Sequence, residues 1–235
     1  MTECLYIVMP AYNEEANISA VIEQWYGVIK KLNNNSKLVI VDDGSKDRTF
    51  RMMTDLCVKY PSLVPLTKKN SGHGATCMYA YEYALSCNAD WIFQTDSDGQ
   101  TDPDEFWQLW EAREKFDFII GSRKNRMDGL SRIFVTKVLK LVVLGIYRIN
   151  ITDANTPFRL IKSSILREYI KYIPADFFLS NVLMSILMVK NKVKSKWIPI
   201  AFKPRQGGVN SINLNRIFKI GFKAIAEFKE VKKKL

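Results

Sequence analysis

The chain has 235 residues, 47% of them hydrophobic, which is enough for one domain with a sizeable core. No apolar run reaches the roughly 20 residues of a membrane-spanning helix, and four scattered cysteines without a C-x-x-C spacing argue against a zinc site or a disulfide framework. The formal net charge of +11 arises entirely from residue 190 onward, where 13 Lys and Arg oppose 2 acids.

The first half of the chain alternates short apolar runs with segments of helical spacing. Cys4–Met9 predicts a buried strand that stops at Pro10, with no signal peptide before it. A helix then begins with Asn13 as its cap and carries on its apolar face Ile18, Val21, Ile22, Trp25, Ile29 and Leu32. Lys37–Val41 predicts the second strand, and residues 42–49 lead into another helix. This order predicts a parallel α/β sheet.

The alternation continues through three more predicted strands. Val64–Leu66 is the third, and the loop at residues 70–75 leads into the next helix. Trp91–Phe93 is the fourth strand, bounded by polar turn residues, and Phe118–Ile120 is the fifth. Between them, Asp102-Pro103 begins a helix, since Asp is a favourable N-cap and Pro suits the first helical position.

Polar side chains follow the fourth predicted strand. Asp96 and Asp98 lie on one side of an extended chain, because strand side chains alternate with a period of two, and Gln100 adds an amide oxygen. Such oxygens, at the sheet edge where α/β proteins bind ligands, suit a hard divalent cation that holds a pyrophosphate. An isolated Asp-x-Asp pair, however, is more often part of a solvated turn than of a metal site. An EF-hand is excluded, because Thr101 and Trp107 stand where that loop needs Gly and Glu.

The second half is more basic and more apolar. Leu130–Tyr147 and Ser180–Lys190 have helical patterns, residues 153–159 form a turn before a short strand, and Lys196–Phe202 is extended. Asn213–Lys234 predicts a basic amphipathic helix that either packs on the body or lies on an anionic membrane. Its charge also suits nucleic acid, but no recognisable nucleic-acid-binding motif accompanies it, so we predict no nucleic-acid partner.

The motifs together resemble the inverting, nucleotide-sugar-dependent glycosyltransferases of family 2 and, within them, the dolichyl-phosphate mannose synthase branch. The matching segments of the first half are Pro10-Ala11-Tyr12-Asn13-Glu14, Val41-Asp42-Asp43-Gly44-Ser45-x-Asp47-x-Thr49, Asn70-x-Gly72-x-Gly74-Ala75 and Asp96-x-Asp98-x-Gln100. Those that follow are Gly121-Ser122-Arg123, Arg132 with Thr136, Asp153-x-x-x-Pro157-Phe158-Arg159 and Arg205-x-Gly207-Gly208. The resemblance implies an α/β fold of the GT-A type, a Rossmann-like nucleotide-diphospho-sugar transferase with a mostly parallel sheet flanked by helices.

The resemblance also implies roles for individual residues. A GDP- or UDP-sugar donor would be bound by Pro10, Tyr12, Glu14, Asp42, Asp43, Gly72, Gly74, Asp96 and Arg205. Mg²⁺ or Mn²⁺ would be held by Asp96, Asp98 and Gln100, and an acceptor phosphate by Arg123, Arg132 and Thr136. A planar guanidinium suits bidentate contact with phosphate. We count Asp98 and Arg123 among the catalytic residues.

One departure from the family bears on the acceptor. The Glu-Asp pair that supplies the base in many relatives with hydroxyl acceptors is absent, and Asp153 and Asp176 are the remaining candidates. A polyprenyl phosphate acceptor (dolichyl or undecaprenyl) is already anionic and needs no strong base, so it is favoured. The alternatives are a glycan hydroxyl in cell-surface polysaccharide synthesis and a non-catalytic nucleotide-sugar-binding module.

We therefore predict a GT-A glycosyltransferase domain over residues 1–211 and the basic amphipathic helix over residues 212–235. That helix belongs to the same domain or faces the membrane. The protein would be cytoplasmic and peripheral at the membrane face, in contact with an anionic surface, with homo-oligomerisation left open.

Overall fold

The computed structural model describes residues 3–32, 35–123, 130–203 and 225–233, with side chains for all of these except residues 130–138. Seven strands form one sheet in the order β3-β2-β1-β4-β6-β5-β7. They are β1 (Leu5–Ala11), β2 (Lys37–Asp42), β3 (Leu63–Thr67), β4 (Trp91–Gln94), β5 (Phe118–Arg123), β6 (Arg159–Lys162) and β7 (Ser195–Ile200). Only β6 runs antiparallel to its neighbours β4 and β5, so the mostly parallel sheet predicted above is confirmed.

Helices cover both faces of this sheet. They are α1 (Ile18–Lys31), α2 (Thr49–Leu56), α3 (His73–Ser86), α4 (Phe106–Ala112), α5 (Leu130–Tyr147), α6 (Ser163–Tyr169), α7 (Ser180–Lys190) and α8 (residues 225–233). Short 3₁₀ turns at Pro103–Glu105 and Ile170–Tyr172 precede α4 and follow α6. The predicted bounds of α5 and α7 coincide with those observed.

The sheet separates two hydrophobic clusters. All seven residues of β1 are buried, as expected for a central parallel strand that is covered on both faces. One cluster packs α1, α2 and α4 on the sheet around Phe93, whose ring centroid lies 4.8 Å from that of Phe158. The other packs α3, α5, α6, α7 and α8 on the opposite face.

The start of α1 differs from the prediction. The helix begins at Ile18 after Asn17, and Asn13 instead has a left-handed backbone with φ of 54°. Asn13 fastens the first loop to the loop after β2, because its Oδ1 accepts a hydrogen bond from the backbone of Lys46 at 2.8 Å. Its own N–H donates to the Ser45 hydroxyl at 2.9 Å. Asn13, a residue type that favours helix caps, therefore connects two loops in this protein.

The described part of the C-terminal helix, α8, packs on the body of the protein. Phe228 is fully buried, with its ring centroid 5.4 Å from that of Phe177, and its carbonyl accepts a hydrogen bond from the Tyr147 hydroxyl at 2.7 Å. Val231 is also buried, whereas the lysines of this segment are exposed. In this segment the apolar stripe therefore faces the core.

Candidate functional site

Three loops meet at one edge of the sheet, because β1 lies between β2 and β4 and the three strands are parallel. The backbone N–H of Asp43 donates to the carbonyl of Ala11 at 2.8 Å. The Ser97 hydroxyl donates to the carbonyl of Pro10 at 2.8 Å. The predicted donor loops and the predicted metal loop are therefore neighbours.

In the loop after β1, two of the residues assigned to donor binding have different surroundings. Tyr12 is 43% exposed, so its ring is available to a ligand. Glu14 is buried and accepts a hydrogen bond from Asn17 Nδ2 at 2.8 Å, while its backbone N–H donates to the Thr49 hydroxyl. The geometry gives Glu14 a role in holding the loop.

The carboxylate of Asp43 is buried within a hydrogen-bonded loop. It forms an ion pair with Lys68 and accepts the backbone N–H groups of Ser71 at 2.9 Å and Gly72 at 2.8 Å. Burial alone would raise the pKa of Asp43, but these hydrogen bonds hold that pKa below its ordinary value. Asp43 therefore shapes the loop before α3. Its neighbour Asp42 is likewise buried and accepts the Thr67 hydroxyl at 2.8 Å.

We expect Asp43→Asn to raise the donor KM more than it lowers kcat. A loosened loop would weaken binding of the donor equally in the ground state and in the transition state. The variant also leaves Lys68 with no carboxylate partner at a largely buried site, which should cost about 3 kcal/mol of unfolding free energy. The pKa of Asp43 is lower in the folded protein than its ordinary value of 3.8. The difference in unfolding free energy between the parent protein and the variant is therefore present above pH 3.8 and is lost as the pH falls through the folded-state pKa. Urea unfolding at several pH values measures it.

The matched control for this prediction is Asp55→Asn, which removes the exposed ion pair with Arg51 (3.9 Å) on α2. Exposed pairs contribute about 0–1 kcal/mol, so this variant should leave both stability and donor KM close to those of the parent protein. Equal behaviour of the two variants would contradict the role given to Asp43.

The loop after β4 is fixed at several points. The hydroxyls of Thr95 and Thr101 are 2.8 Å apart, and the backbone N–H of Gln100 donates to Asp98 Oδ1 at 3.1 Å. Asp96 Oδ1 is buried and has no hydrogen-bond partner among the described residues. Burial raises the pKa of Asp96 to about 6, and the charge of Asp98 adds to this effect. A bound cation would compensate this carboxylate oxygen.

The donor set fits a divalent cation by its chemistry. No three His, Cys, Asp or Glu side chains of the described part surround a common point, but the predicted set contains an amide, Gln100, in place of a third acid. Gln100 Nε2 donates to the carbonyl of Lys203 at 3.0 Å, which leaves Oε1 as the oxygen available for a cation. With Asp96 and Asp98 this makes an all-oxygen set, which suits Mg²⁺ or Mn²⁺.

Two residues to which the sequence analysis assigned no role border this loop. Lys203 donates its backbone N–H to the carbonyl of Gln100 at 2.8 Å, and its Nζ lies 2.7 Å from Asp102 Oδ2. His73, the only histidine, places Nε2 3.9 Å from Asp96 Oδ1. The pKa of His73 is raised by the neighbouring Cys77 sulfur and by the carboxylates of Asp96 and Asp98.

Apart from Asp98 in the loop after β4, the predicted catalytic residues fall into two places. Arg123, at the end of β5, forms an ion pair with Asp153, with 2.6 Å between Nη2 and Oδ1. Asp176 is exposed in the turn before α7, the turn whose Phe177 carbonyl approaches Gly74. Arg123 and Asp153 are thus brought together, whereas Asp176 lies beside the start of α3.

The structure describes no side chain for three of the assigned residues. Arg205 falls in the interval 204–224, and Arg132 and Thr136 lie on α5 within residues 130–138, whose side chains are not described. Their assignments to donor and acceptor remain predictions.

Arg159, which the family motif contains, has an environment that the motif does not predict. It is fully buried and donates to the carbonyls of Asn181 at 2.8 Å and Thr156 at 3.1 Å. Burial lowers its pKa. Since charged side chains are rarely buried without a carboxylate partner, sequence reasoning treats an arginine as a surface residue.

Comparisons with known proteins identify the family and the fold. A family model described as Glycosyl transferase family 2 matches residues 6–172. An undecaprenyl-phosphate 4-deoxy-4-formamido-L-arabinose transferase of Pseudomonas fluorescens is 26% identical over 231 residues, which cover 94% of this chain and 64% of that protein. The protein of that name from Pectobacterium atrosepticum is 28% identical over 140 residues, 58% of this chain and 42% of that protein. The chain therefore spans less than two thirds of the length of these relatives.

Two solved structures share the fold. Glucosyl-3-phosphoglycerate synthase from Mycobacterium tuberculosis, in complex with Mn²⁺, UDP-glucose and phosphoglyceric acid, superposes with a TM-score of 0.70. It is 14% identical, and the match covers 98% of this chain and 80% of that one. Mannosyl-3-phosphoglycerate synthase from Rubrobacter xylanophilus has a TM-score of 0.69 at 13% identity, over 99% and 76% of the two chains. At these identities the likeness establishes the GT-A fold.

Proposed function

Because the chain belongs to glycosyl transferase family 2, we propose that it transfers one sugar from a nucleoside-diphosphate sugar to the phosphate of a polyprenyl phosphate. The curated relatives support undecaprenyl phosphate as the acceptor, since their names specify it. The transfer proceeds by single displacement with inversion, and a divalent cation assists it. The solved neighbour bound to Mn²⁺ and UDP-glucose makes these the first cation and nucleotide to test.

One observation carries this proposal. The dipeptide Phe202-Lys203 contacts the acidic loop on one side and an arginine on the other. Lys203 holds Gln100 through two hydrogen bonds, and the Phe202 ring centroid lies 5.3 Å from Arg123 Cζ. The oxygen set of the acidic loop, which suits a cation, thus lies near the guanidinium of Arg123, which suits a phosphate. Sugar transfer from a diphosphate donor to a phosphate acceptor requires both.

The proposed chemistry follows from these residues. An oxygen of the acceptor phosphate attacks the anomeric carbon, and the bond from that carbon to the donor diphosphate breaks on the opposite side. Arg123 neutralises and orients the attacking phosphate, which needs no strong base because it is anionic at neutral pH. Asp96, Asp98 and Gln100 would hold the cation, which supplies Lewis-acid stabilisation of the negative charge on the departing diphosphate.

The acceptor is a lipid, so we also propose that the protein docks on an anionic membrane. No helix in the described ranges is long and apolar enough to cross a bilayer. On α5, however, Leu141 is 66% exposed and Leu144 is 44% exposed, with Lys140 and Arg148 exposed on either side of them. Exposed leucines between cations suit an interfacial helix. We therefore expect this exposed face of α5 to contact the membrane, in place of the apolar side of α8, which is buried.

Replacing Leu141 and Leu144 together by Gln should weaken binding to anionic vesicles by at least about tenfold, since burying one Leu is worth about 1.5–3 kcal/mol. Vesicle sedimentation at low salt measures this effect. Val58→Gln is the matched control. Val58 is 95% exposed in the turn after α2, so this substitution should leave vesicle binding unchanged. A parent protein that ignores anionic vesicles at low salt would contradict membrane docking and favour a soluble acceptor.

The proposed function is tested by a matched pair of acceptors. Labelled UDP- and GDP-sugars are incubated with the protein, Mn²⁺ and either undecaprenyl phosphate or undecaprenol in the same vesicles. We expect label in the lipid phase with the phosphate only. Transfer to undecaprenol, or to a glycan with no transfer to either lipid, would overturn the assignment of a phosphate acceptor.

A further inference from the structure

The carboxylate of Asp153 uses both of its oxygens on Arg123. Oδ2 accepts hydrogen bonds from the backbone N–H of Arg123 at 3.1 Å and from Nε at 2.8 Å, and Oδ1 accepts from Nη2 at 2.6 Å. The two side chains are only 9% and 16% exposed. If Asp153 accepted a proton from a substrate, it would lose the negative charge that strengthens this bidentate contact, which is among the stronger contacts that a carboxylate makes.

Among the described residues, the same contact leaves one edge of the guanidinium available. Of its five N–H groups, the pair with Asp153 uses Nε–H and one on Nη2, so it leaves both on Nη1 and the second on Nη2. One N–H of Nη1 and the remaining N–H of Nη2 lie on the edge opposite Nε, where an end-on bidentate contact with a phosphate forms. The guanidinium also lies over the ring of Phe202, with 5.3 Å between Arg123 Cζ and the ring centroid. The plane of Arg123 is therefore set by two contacts before any ligand arrives.

The local backbone explains how Asp153 reaches β5. Asp153 has a left-handed conformation with φ of 47°, which Asp tolerates better than most residues. It stands in the turn that leads to β6, and β6 pairs with β5, the strand that ends at Arg123. Sheet pairing thus brings together two residues that are 30 positions apart in the chain.

We propose that Asp153 is a positioning residue, which holds Arg123 so that its remaining edge receives the acceptor phosphate, and that Asp153 is not the base of the reaction. This inference rests on the proposed function, because it takes the acceptor to carry a phosphate. A pre-oriented arginine loses less side-chain freedom when the phosphate binds, so the contribution of Asp153 appears in the affinity for the acceptor.

The test is the steady-state kinetics of Asp153→Asn with undecaprenyl phosphate, at saturating donor and Mn²⁺. We expect the acceptor KM to rise at least about tenfold while kcat at saturating acceptor stays within about threefold, with the shape of the pH–rate profile unchanged. A loss of kcat at unchanged acceptor KM, together with loss of the acidic limb of the profile, would identify Asp153 as the base. Asp117→Asn is the matched control, since it breaks a more exposed pair with Lys162 (3.4 Å) at the other end of β5.

A second variant keeps the inference testable if Asp153→Asn fails to fold. Phe202→Leu keeps an apolar side chain but removes the ring from the guanidinium, and it should raise the acceptor KM without changing the donor KM. An unchanged acceptor KM would contradict the positioning role.

Binding of farnesyl phosphate separates this inference from the proposed function. If the parent protein transfers no sugar to lipid, the proposed function fails. Tighter binding of farnesyl phosphate by the parent than by Asp153→Asn would still support positioning. Equal binding would overturn it.

Discussion

Replacing Asp98 by alanine is expected to lower kcat for sugar transfer on the order of 10³-fold, because a metal ion contributes several kcal/mol of charge stabilisation and each 1.36 kcal/mol is a factor of ten. The fold should be retained, since Asp98 lies in a loop and its hydrogen bond to the backbone N–H of Gln100 is local to that loop. Excess EDTA should have the same effect on the parent protein.

Asp104→Ala is the matched control for this prediction. Asp104 is an exposed acid six residues further along, outside the proposed oxygen set, and its loss should leave kcat within about twofold. Ligand binding gives a second readout. In the presence of Mn²⁺, UDP at about 100 times its Kd should add roughly 2.7 kcal/mol of stability to the parent protein, and the same UDP concentration should add little to Asp98→Ala. Full activity in EDTA would contradict the metal site.

Replacing Gly74 by alanine is expected to destabilise the protein by about 1–3 kcal/mol, because the site has no room for a side chain. A Cβ at this position would overlap the carbonyl oxygen of Phe177 and lie 2.7 Å from that of Phe178, and both are backbone atoms. The turn would have to move away from the start of α3. This movement would also disturb the packing of Phe177 on Phe228. Thermal unfolding measures the loss.

Gly27→Ala is the control for this substitution. Gly27 lies in the middle of α1, and a Cβ there meets nothing within 4 Å. The same change should therefore stabilise the helix by about 0.5–1 kcal/mol. Stability changes of opposite sign in the two variants would show that the close approach of Phe177 and Phe178 to Gly74 decides the outcome. Stability changes of the same sign would contradict this explanation. The resemblance assigned Gly74 to donor binding, and this contact supplies a separate, steric reason for a glycine.

The parts of the fold that depend on local pattern were predictable. The apolar runs gave β1, β2 and β4, and because these strands are parallel, their loops meet at one edge, as the sequence analysis expected. Helical spacing also predicted the bounds of α5 and α7. The cap at Asn13 was wrong because a polar residue that favours caps serves equally well in a loop–loop contact.

The pairings inside the site were not predictable, because they depend on how distant strands are ordered. Since β6 lies between β4 and β5, and β7 pairs with β5, Asp153 reaches Arg123 and Lys203 reaches Gln100 across 103 positions. No periodicity encodes these contacts. The pairing of Asp43 with Lys68 has the same origin, because β2 and β3 are adjacent.

The most direct test of the central claim is the mass of the lipid product. Undecaprenyl phosphate, Mn²⁺ and the donor that stabilises the protein most are incubated with it, and the lipid is analysed by mass spectrometry. Transfer of a sugar to the phosphate adds the mass of one glycosyl residue and leaves a single phosphorus atom in the lipid. Undecaprenyl phosphate of unchanged mass, or a product with two phosphorus atoms, would contradict the proposed reaction.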